Sequence, residues 1–250
     1  MALSPAPSAI VLFRKRPEAD VRLFCLPYAG SGASVYRAWA AALPERIEAA
    51  AVQPPGRETR FAEPPLHRMD EFVAELIDAA LPMMREKPFA FFGHSLGAIV
   101  ALETTRALAR GGLPQPRHVI VSARPAPHLL LRRERVAGLT RDGLIDWLRR
   151  VNGTPEAVLQ SRELMDMYLP ALRADLDVDD TYRSAADPPL HCPLTVLGGT
   201  ADDEASPDEL RAWSAYTTAE CTLRLFDGGH FFAFGPLQSQ VLAVVAAALE

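Results

Sequence analysis

An α/β fold with a mostly parallel central sheet is what the sequence predicts, and three observations predict it. Seven short apolar runs recur along the 250 residues, stretches with helical spacing separate them, and most of the runs are continuous instead of alternating. A strand inside a parallel sheet is covered on both faces, so the side chains on both of its faces are apolar.

The runs are Ile10–Phe13, Val21–Leu26, Ala49–Val52, Phe89–Phe92, Val119–Ser122, Leu194–Leu197 and Thr222–Phe226. From Asp70 to about Met84, Phe72, Leu76, Ile77 and Ala80 share one helical stripe. Ile99 to Ala109 is a second helix, directly after the fourth run. Between Ser122 and Leu194 lie about 70 residues, where a single crossover helix needs only about a dozen. A structureless loop of that length is rare in a compact domain. This stretch has apolar faces at Leu139, Leu144, Trp147 and Leu148, then at Leu164, Met167, Tyr168, Leu172 and Leu176. The expectation is one domain over residues 1–250, with a helical lid inserted at 124–187. Ser206-Pro207-Asp208-Glu209 is a capping box with proline at the first helical position, opening a helix through Trp213. Leu237–Leu249 reads as a last helix on the sheet.

Composition narrows the function classes. With 26 Lys+Arg against 31 Asp+Glu the formal charge is −5, which gives no electrostatic footprint for nucleic acid. The longest apolar stretch, Val241–Leu249, is about half the roughly 20 residues of a membrane span. No basic residue precedes Ile10–Phe13, and Arg14-Lys15-Arg16 follows it, so no secretory leader is expected. Cys25, Cys192 and Cys221 have neither disulfide nor zinc spacing and read as small buried residues in a reducing compartment. A cytoplasmic monomer without metal or redox cofactor is the expectation.

The chemistry concentrates in Gly93-His94-Ser95-Leu96-Gly97, which runs from an apolar strand into a helix. That pattern turns the chain so tightly that the serine hydroxyl stands off the sheet at a helix N-terminus. A serine needs a base to take its proton and an acid to orient the base, and in this arrangement the order is Ser, acid, His. Of six histidines, His230 fits, because Asp227-Gly228-Gly229-His230 follows the last strand at the sheet edge where ligands of open α/β sheets sit. His94 reads as packing; His67, His118, His128 and His191 read as surface or satisfied polar groups. The acid lies in Gly198-Gly199-Thr200-Ala201-Asp202-Asp203-Glu204, with Asp202 placed by the turn and Asp203 as the alternative. An oxyanion needs two donors. These are the backbone N–H of Leu96 and, from the loop Pro27-Tyr28-Ala29-Gly30-Ser31-Gly32, that of Ala29. Those glycines do not make a dinucleotide site, since Val35 stands where a third glycine belongs and the next strand ends in Gln53.

Taken together, Leu23–Gly32, Gln53-Pro-Pro-Gly-Arg-Glu58, Gly93–Ala98, Leu169-Pro-Ala-Leu-Arg-Ala-Asp175 and Gly228–Phe232 resemble the stand-alone type II thioesterases of polyketide and nonribosomal peptide assembly lines, members of the α/β-hydrolase superfamily. The resemblance spans nearly the whole chain. It implies a Ser95, Asp202 and His230 triad with Ala29 and Leu96 as oxyanion donors, and it makes Gln53 to Arg57 a structural loop beside the site. The substrate it implies is an acyl group on the phosphopantetheine arm of an acyl or peptidyl carrier domain. One departure weakens Asp202: Asp203 and Ala205 stand where the family often has proline and valine. Carrier domains of these pathways are generally acidic, so Arg132, Arg133 and Arg135 beside Leu129–Leu131 read either as a docking patch or as ordinary solvated surface. A Ser/His acyltransferase, a non-catalytic carrier-binding protein and a general carboxylesterase are the rival readings.

Overall fold

The computed structural model describes residues 8–129, 136–184 and 188–250. Its centre is a seven-stranded sheet: β1 (Ile10–Val11), β2 (Val21–Leu26), β3 (Ile47–Val52), β4 (Phe89–His94), β5 (Val119–Ser122), β6 (Leu194–Gly199) and β7 (Cys221–Phe226). The spatial order is β1-β3-β2-β4-β5-β6-β7. Every neighbouring pair is parallel except the edge pair β1–β3.

The α-helices among the described residues are α1 (Arg37–Ala42), α2 (Met69–Glu86), α3 (Leu96–Arg110), α4 (Arg141–Val151), α5 (Glu156–Gln160), α6 (Arg162–Thr181), α7 (Pro207–Arg211) and α8 (Gln238–Ala247). The sheet separates two cores. Phe24, Leu26, Phe89, Phe91, Val119 and Val121 pack on one side with Phe72 and Leu76 of α2 and Ile99 and Leu102 of α3. Leu23, Cys25, Ala90, Phe92 and Ile120 face the other way, against Trp39 of α1 and Val241 and Val245 of α8. Successive residues of one strand thus enter opposite cores, which is why the apolar runs are continuous.

All seven strands fall where the sequence places them, with shifted ends. β3 starts two residues early because Glu48, a charged residue that reads as a boundary, is buried and paired. It accepts from Arg22 Nε at 2.8 Å and from the Arg16 N–H at 2.8 Å. The fourth run extends to His94, and its helix begins at Leu96 instead of Ile99, leaving Ser95 alone between them. The capping box forms: the Ser206 N–H donates to Glu209 Oε2 at 2.9 Å, and the Glu209 N–H donates to Ser206 Oγ. α1 has no counterpart in the sequence reading. Only Cys25 of the three cysteines is buried; Cys192 and Cys221 are half-buried.

Between β5 and β6 the chain forms α4, α5 and α6. They share a third core of Leu144, Leu148, Leu159, Met165, Leu169, Leu172 and Leu176. Leu164 and Met167, expected on that face, are instead 46% and 49% exposed. Arg132, Arg133 and Arg135, with Leu130 and Leu131, lie outside the described residues. Among the described residues no helix is long and apolar enough to cross a membrane.

Candidate active site

Ser95 joins β4 to α3 with φ 54° and ψ −115°, a backbone state that costs a non-glycine residue about 1–3 kcal/mol. Its N–H donates to the Ser122 carbonyl of the adjacent strand at 2.8 Å. The flanking glycines are required by close approach. A Cβ on Gly93 would lie 2.1 Å from the Gly97 carbonyl oxygen, and one on Gly97 would lie 2.3 Å from that of Leu26. Leu96 is the first residue of α3, so its N–H has no partner within the helix and joins the positive end of the helix dipole.

Two loops at the same edge of the sheet hold Asp202 and His230. Thr200 N–H donates to the Phe226 carbonyl at 2.8 Å and Ala201 N–H to that of Gly228 at 3.0 Å, tying the turn after β6 to the turn after β7. His230 Nδ1 then lies 3.1 and 3.0 Å from the two carboxylate oxygens of Asp202. The Asp202 side chain is fully buried and that of His230 is 11% exposed. Asp202 Oδ1 also accepts the Glu204 N–H at 2.9 Å, which fixes the carboxylate. Asp203 is exposed and makes no hydrogen bond to His230. The structure therefore brings Asp202 and His230 into contact. It sets the His230 ring 5.4 Å from that of His94, the chain neighbour of Ser95. No hydrogen bond joins Ser95 Oγ to His230. In such sites that bond often tightens only when substrate is bound.

Ala29 sits in the turn after β2, closed by a 3.0 Å bond from the Ser31 N–H to the Tyr28 carbonyl. The Ala29 N–H has no protein acceptor among the described residues. Aromatic rings wall the site: Tyr28 lies 4.8 Å from Phe231 and 5.3 Å from Phe234, centroid to centroid. Burial, and then Glu58, pushes the Tyr28 hydroxyl up to about 12, so it stays a neutral donor. A groove of about 620 Å³ opens between Tyr28, Asn152 and Gly153 after α4, and His230 to Phe232.

The other histidines bond elsewhere. His118 Nε2 meets Thr195 Oγ1 at 2.8 Å, His128 Nδ1 meets Tyr216 Oη at 3.2 Å, His191 Nδ1 meets Thr218 Oγ1 at 3.1 Å, and His67 is exposed. Gln53 and Arg57 are structural: Gln53 Oε1 accepts the Ala33 N–H at 3.0 Å, and the Arg57 guanidinium meets Asp175 of α6 with both terminal nitrogens. Asp175 received no role from the sequence. Its signal is position, since it is an acid beside Leu172 and Leu176 on the buried face of α6.

A parallel sheet carrying a serine on a strained strand-to-helix turn, with a bonded acid and histidine on the loops beyond it, is the architecture of an α/β hydrolase. Within that class the chain belongs to the thioesterase domain family, which matches residues 21–248. It is 39% identical over 216 residues to the gramicidin S biosynthesis protein GrsT of Aneurinibacillus migulanus, covering 86% of this chain and 84% of that one. Two solved structures are similar. BorB, the type II thioesterase of the borrelidin biosynthetic cluster, has TM-score 0.87 and 37% identity over 99% of this chain and 100% of its own. RedJ, the thioesterase of the prodiginine pathway in Streptomyces coelicolor, has TM-score 0.86 and 35% identity over 99% and 91%.

Proposed function

We propose that this thioesterase frees acyl groups from the phosphopantetheine arm of acyl or peptidyl carrier domains during polyketide or nonribosomal peptide synthesis, using Ser95, Asp202 and His230. The bond between His230 Nδ1 and the buried Asp202 carboxylate carries the reading, because it leaves Nε2 as the nitrogen available to a serine hydroxyl. Ser95 Oγ attacks the thioester carbonyl as His230 takes its proton. The Ala29 and Leu96 N–H groups receive the oxyanion. Collapse expels the thiol, which takes the proton from His230 and leaves an acyl-serine. His230 then removes a proton from water, the hydroxide attacks the ester, and Ser95 regains its proton as the free acid departs.

The carrier-bound substrate is supported by the relatives' place in antibiotic-type pathways, and the groove beside His230 offers room for a pantetheine arm. α4 to α6 act as a lid over the site. The enzyme works as a cytoplasmic monomer, engages neither nucleic acid nor membrane, and needs no cofactor beyond the arm its partner brings. A Ser/His acyltransferase would hold a substrate carboxylate with a free arginine, whereas Arg57 beside this site is engaged by Asp175.

Three variants test the site. Ser95→Ala should lose on the order of 10⁵-fold in turnover with its melting temperature preserved, since Ser95 lies on a turn outside the cores. Asp202→Asn should lose about 10⁴-fold, because the amide holds the wrong imidazole tautomer. Asp203→Asn should stay near wild type. Turnover by Ser95→Ala removes the nucleophile, and a reversed ranking of the two acids moves the role to Asp203.

A further inference from the structure

We infer that Asp175 of α6 is a positioning residue that locks the turn presenting the Ala29 N–H, and so couples the helical segment to the oxyanion site. The inference rests on the proposed role of Ala29. Tyr28, Ala29, Gly30 and Ser31 form a turn closed by the Ser31 N–H on the Tyr28 carbonyl, and Gly30 has φ +78° while Ala29 does not have positive φ. That combination is a type II turn. Its two neighbouring peptide planes are held separately. The Tyr28 carbonyl, in the same plane as the Ala29 N–H, accepts both the Ser31 N–H and, at 2.7 Å, Ser31 Oγ.

The second plane, between Ala29 and Gly30, is the one that turns over when a type II turn becomes type I, and glycine opposes that change little. Here its N–H donates to Asp175 Oδ2 at 2.7 Å. A flip would carry the Ala29 carbonyl oxygen toward a buried carboxylate, so Asp175 excludes it. Because the φ of Ala29 is about −60° in either turn type, what this bond holds for the Ala29 N–H is the place of the turn against α6. The carboxylate is itself fixed: Arg57 Nη2 reaches Oδ1 at 2.9 Å and Arg57 Nη1 reaches Oδ2, with the two side chains only 7% and 2% exposed. Tyr168, two turns earlier on the same face of α6, lies across Gly30, where an added Cβ would stand 2.5 Å from its hydroxyl. Ala29 in turn packs against both the sheet core and the helical core. α6 therefore clasps the turn at two points and leaves the Ala29 N–H free. A donor displaced by about an ångström loses about 10²-fold in rate.

Arg57 separates this role from a merely structural one. Arg57→Met breaks the same buried ion pair, and the long 3.3 Å bond from Arg57 Nη1 to the Ser31 carbonyl, but leaves the Gly30 N–H bonded to Asp175. Asp175→Ala removes both the ion pair and the Gly30 bond. On a small acyl thioester, Asp175→Ala should lose about 10²-fold in kcat with KM nearly unchanged, and binding of a trifluoromethyl ketone analogue that forms the oxyanion should weaken in parallel. Arg57→Met should lose about tenfold less despite a comparable fall in melting temperature. If Asp175→Ala does not fold, Asp175→Asn carries the same comparison, with about a tenfold loss confined to kcat and to the analogue. Equal losses in the Asp175 and Arg57 variants, or a loss appearing in KM alone, overturn the inference. Failure of the underlying reading is distinct. An active Ser95→Ala enzyme removes the nucleophile, and with it the reading that an oxyanion forms beside Ala29, while an inactive one beside a fully active Asp175→Ala removes only the role of Asp175.

Discussion

His94 shows how much one residue position decides. Its ring is wholly buried among Tyr28, Phe234 and His230, with Nδ1 2.9 Å from Ser122 Oγ. Burial, reinforced by the neighbouring His230, holds its pKa well below the usual 6.5. The unfolded chain therefore binds a proton below about pH 6.5 that the folded chain refuses, so stability is intact above that pH and falls as the pH drops through it. For one group the slope is about 1.4 kcal/mol per pH unit. Melting temperatures measured from pH 7.5 to 5.5 should fall more steeply for the wild type than for His94→Gln. Equal slopes would assign the effect to other groups such as His118, which burial also lowers. The sequence reads His94 as packing and prefers Asp202 by turn spacing while leaving Asp203 as the alternative; the contact of Asp202, and not Asp203, with His230 is visible only in the fold. The role of Asp175 is not legible in the sequence, because its partners Gly30 and Arg57 are 145 and 118 residues away along the chain.

Elements are legible to the extent that their burial is periodic. The strands enter two cores and so read as unbroken apolar runs. α2 and the capping box of α7 carry their own local signals. α1 has a signal that was available, since Tyr36, Trp39, Ala40 and Leu43 lie at helical spacing and all four are buried. Six residues are too few for periodicity to stand out beside a glycine-rich turn. The exposure of Leu164 and Met167 has the opposite cause: α6 is apolar around more of its surface than it buries, and its docking face is set by Asp175 and by Asp179, which accepts from Arg124 Nη1 at 2.8 Å. α6 is thus held beside the sheet by these charges and by Val178, which is buried in the first core, whereas α4 and α5 rest on α6 through the third core. Leu144→Ala, at a fully buried position of that core, should cost about 2–5 kcal/mol locally. Hydrogen exchange should quicken across 141–160 and stay slow in β4 and β5. Faster exchange in β4 and β5 as well would mean that the helical segment and the sheet open as one unit.

Charge acts on the whole molecule. At −5 the chain as a whole repels an acidic partner, and the proposed carriers are acidic by the resemblance. Productive docking then requires local positive charge strong enough within a Debye length of about 10 Å to outweigh the distant field. Arg132, Arg133 and Arg135 are the densest local run of arginine in the stretch joining β5 to α4. Replacing all three by Glu removes three positive charges and adds three negative ones, taking the formal charge from −5 to −5 − 6 = −11. If these arginines meet the carrier, kcat/KM on an acyl carrier protein falls by about tenfold or more at low salt and recovers as salt screens the new repulsion. The same variant should hydrolyse a small acyl thioester at the wild-type rate, because a neutral substrate does not sense the patch. That contrast between substrates separates docking from damage to the catalytic machinery, which would slow both. Equal rates for variant and wild type on both substrates would make the three arginines ordinary solvated surface, and carrier recognition would then fall to the rim of the groove formed by Asn152, Gly153 and Phe231.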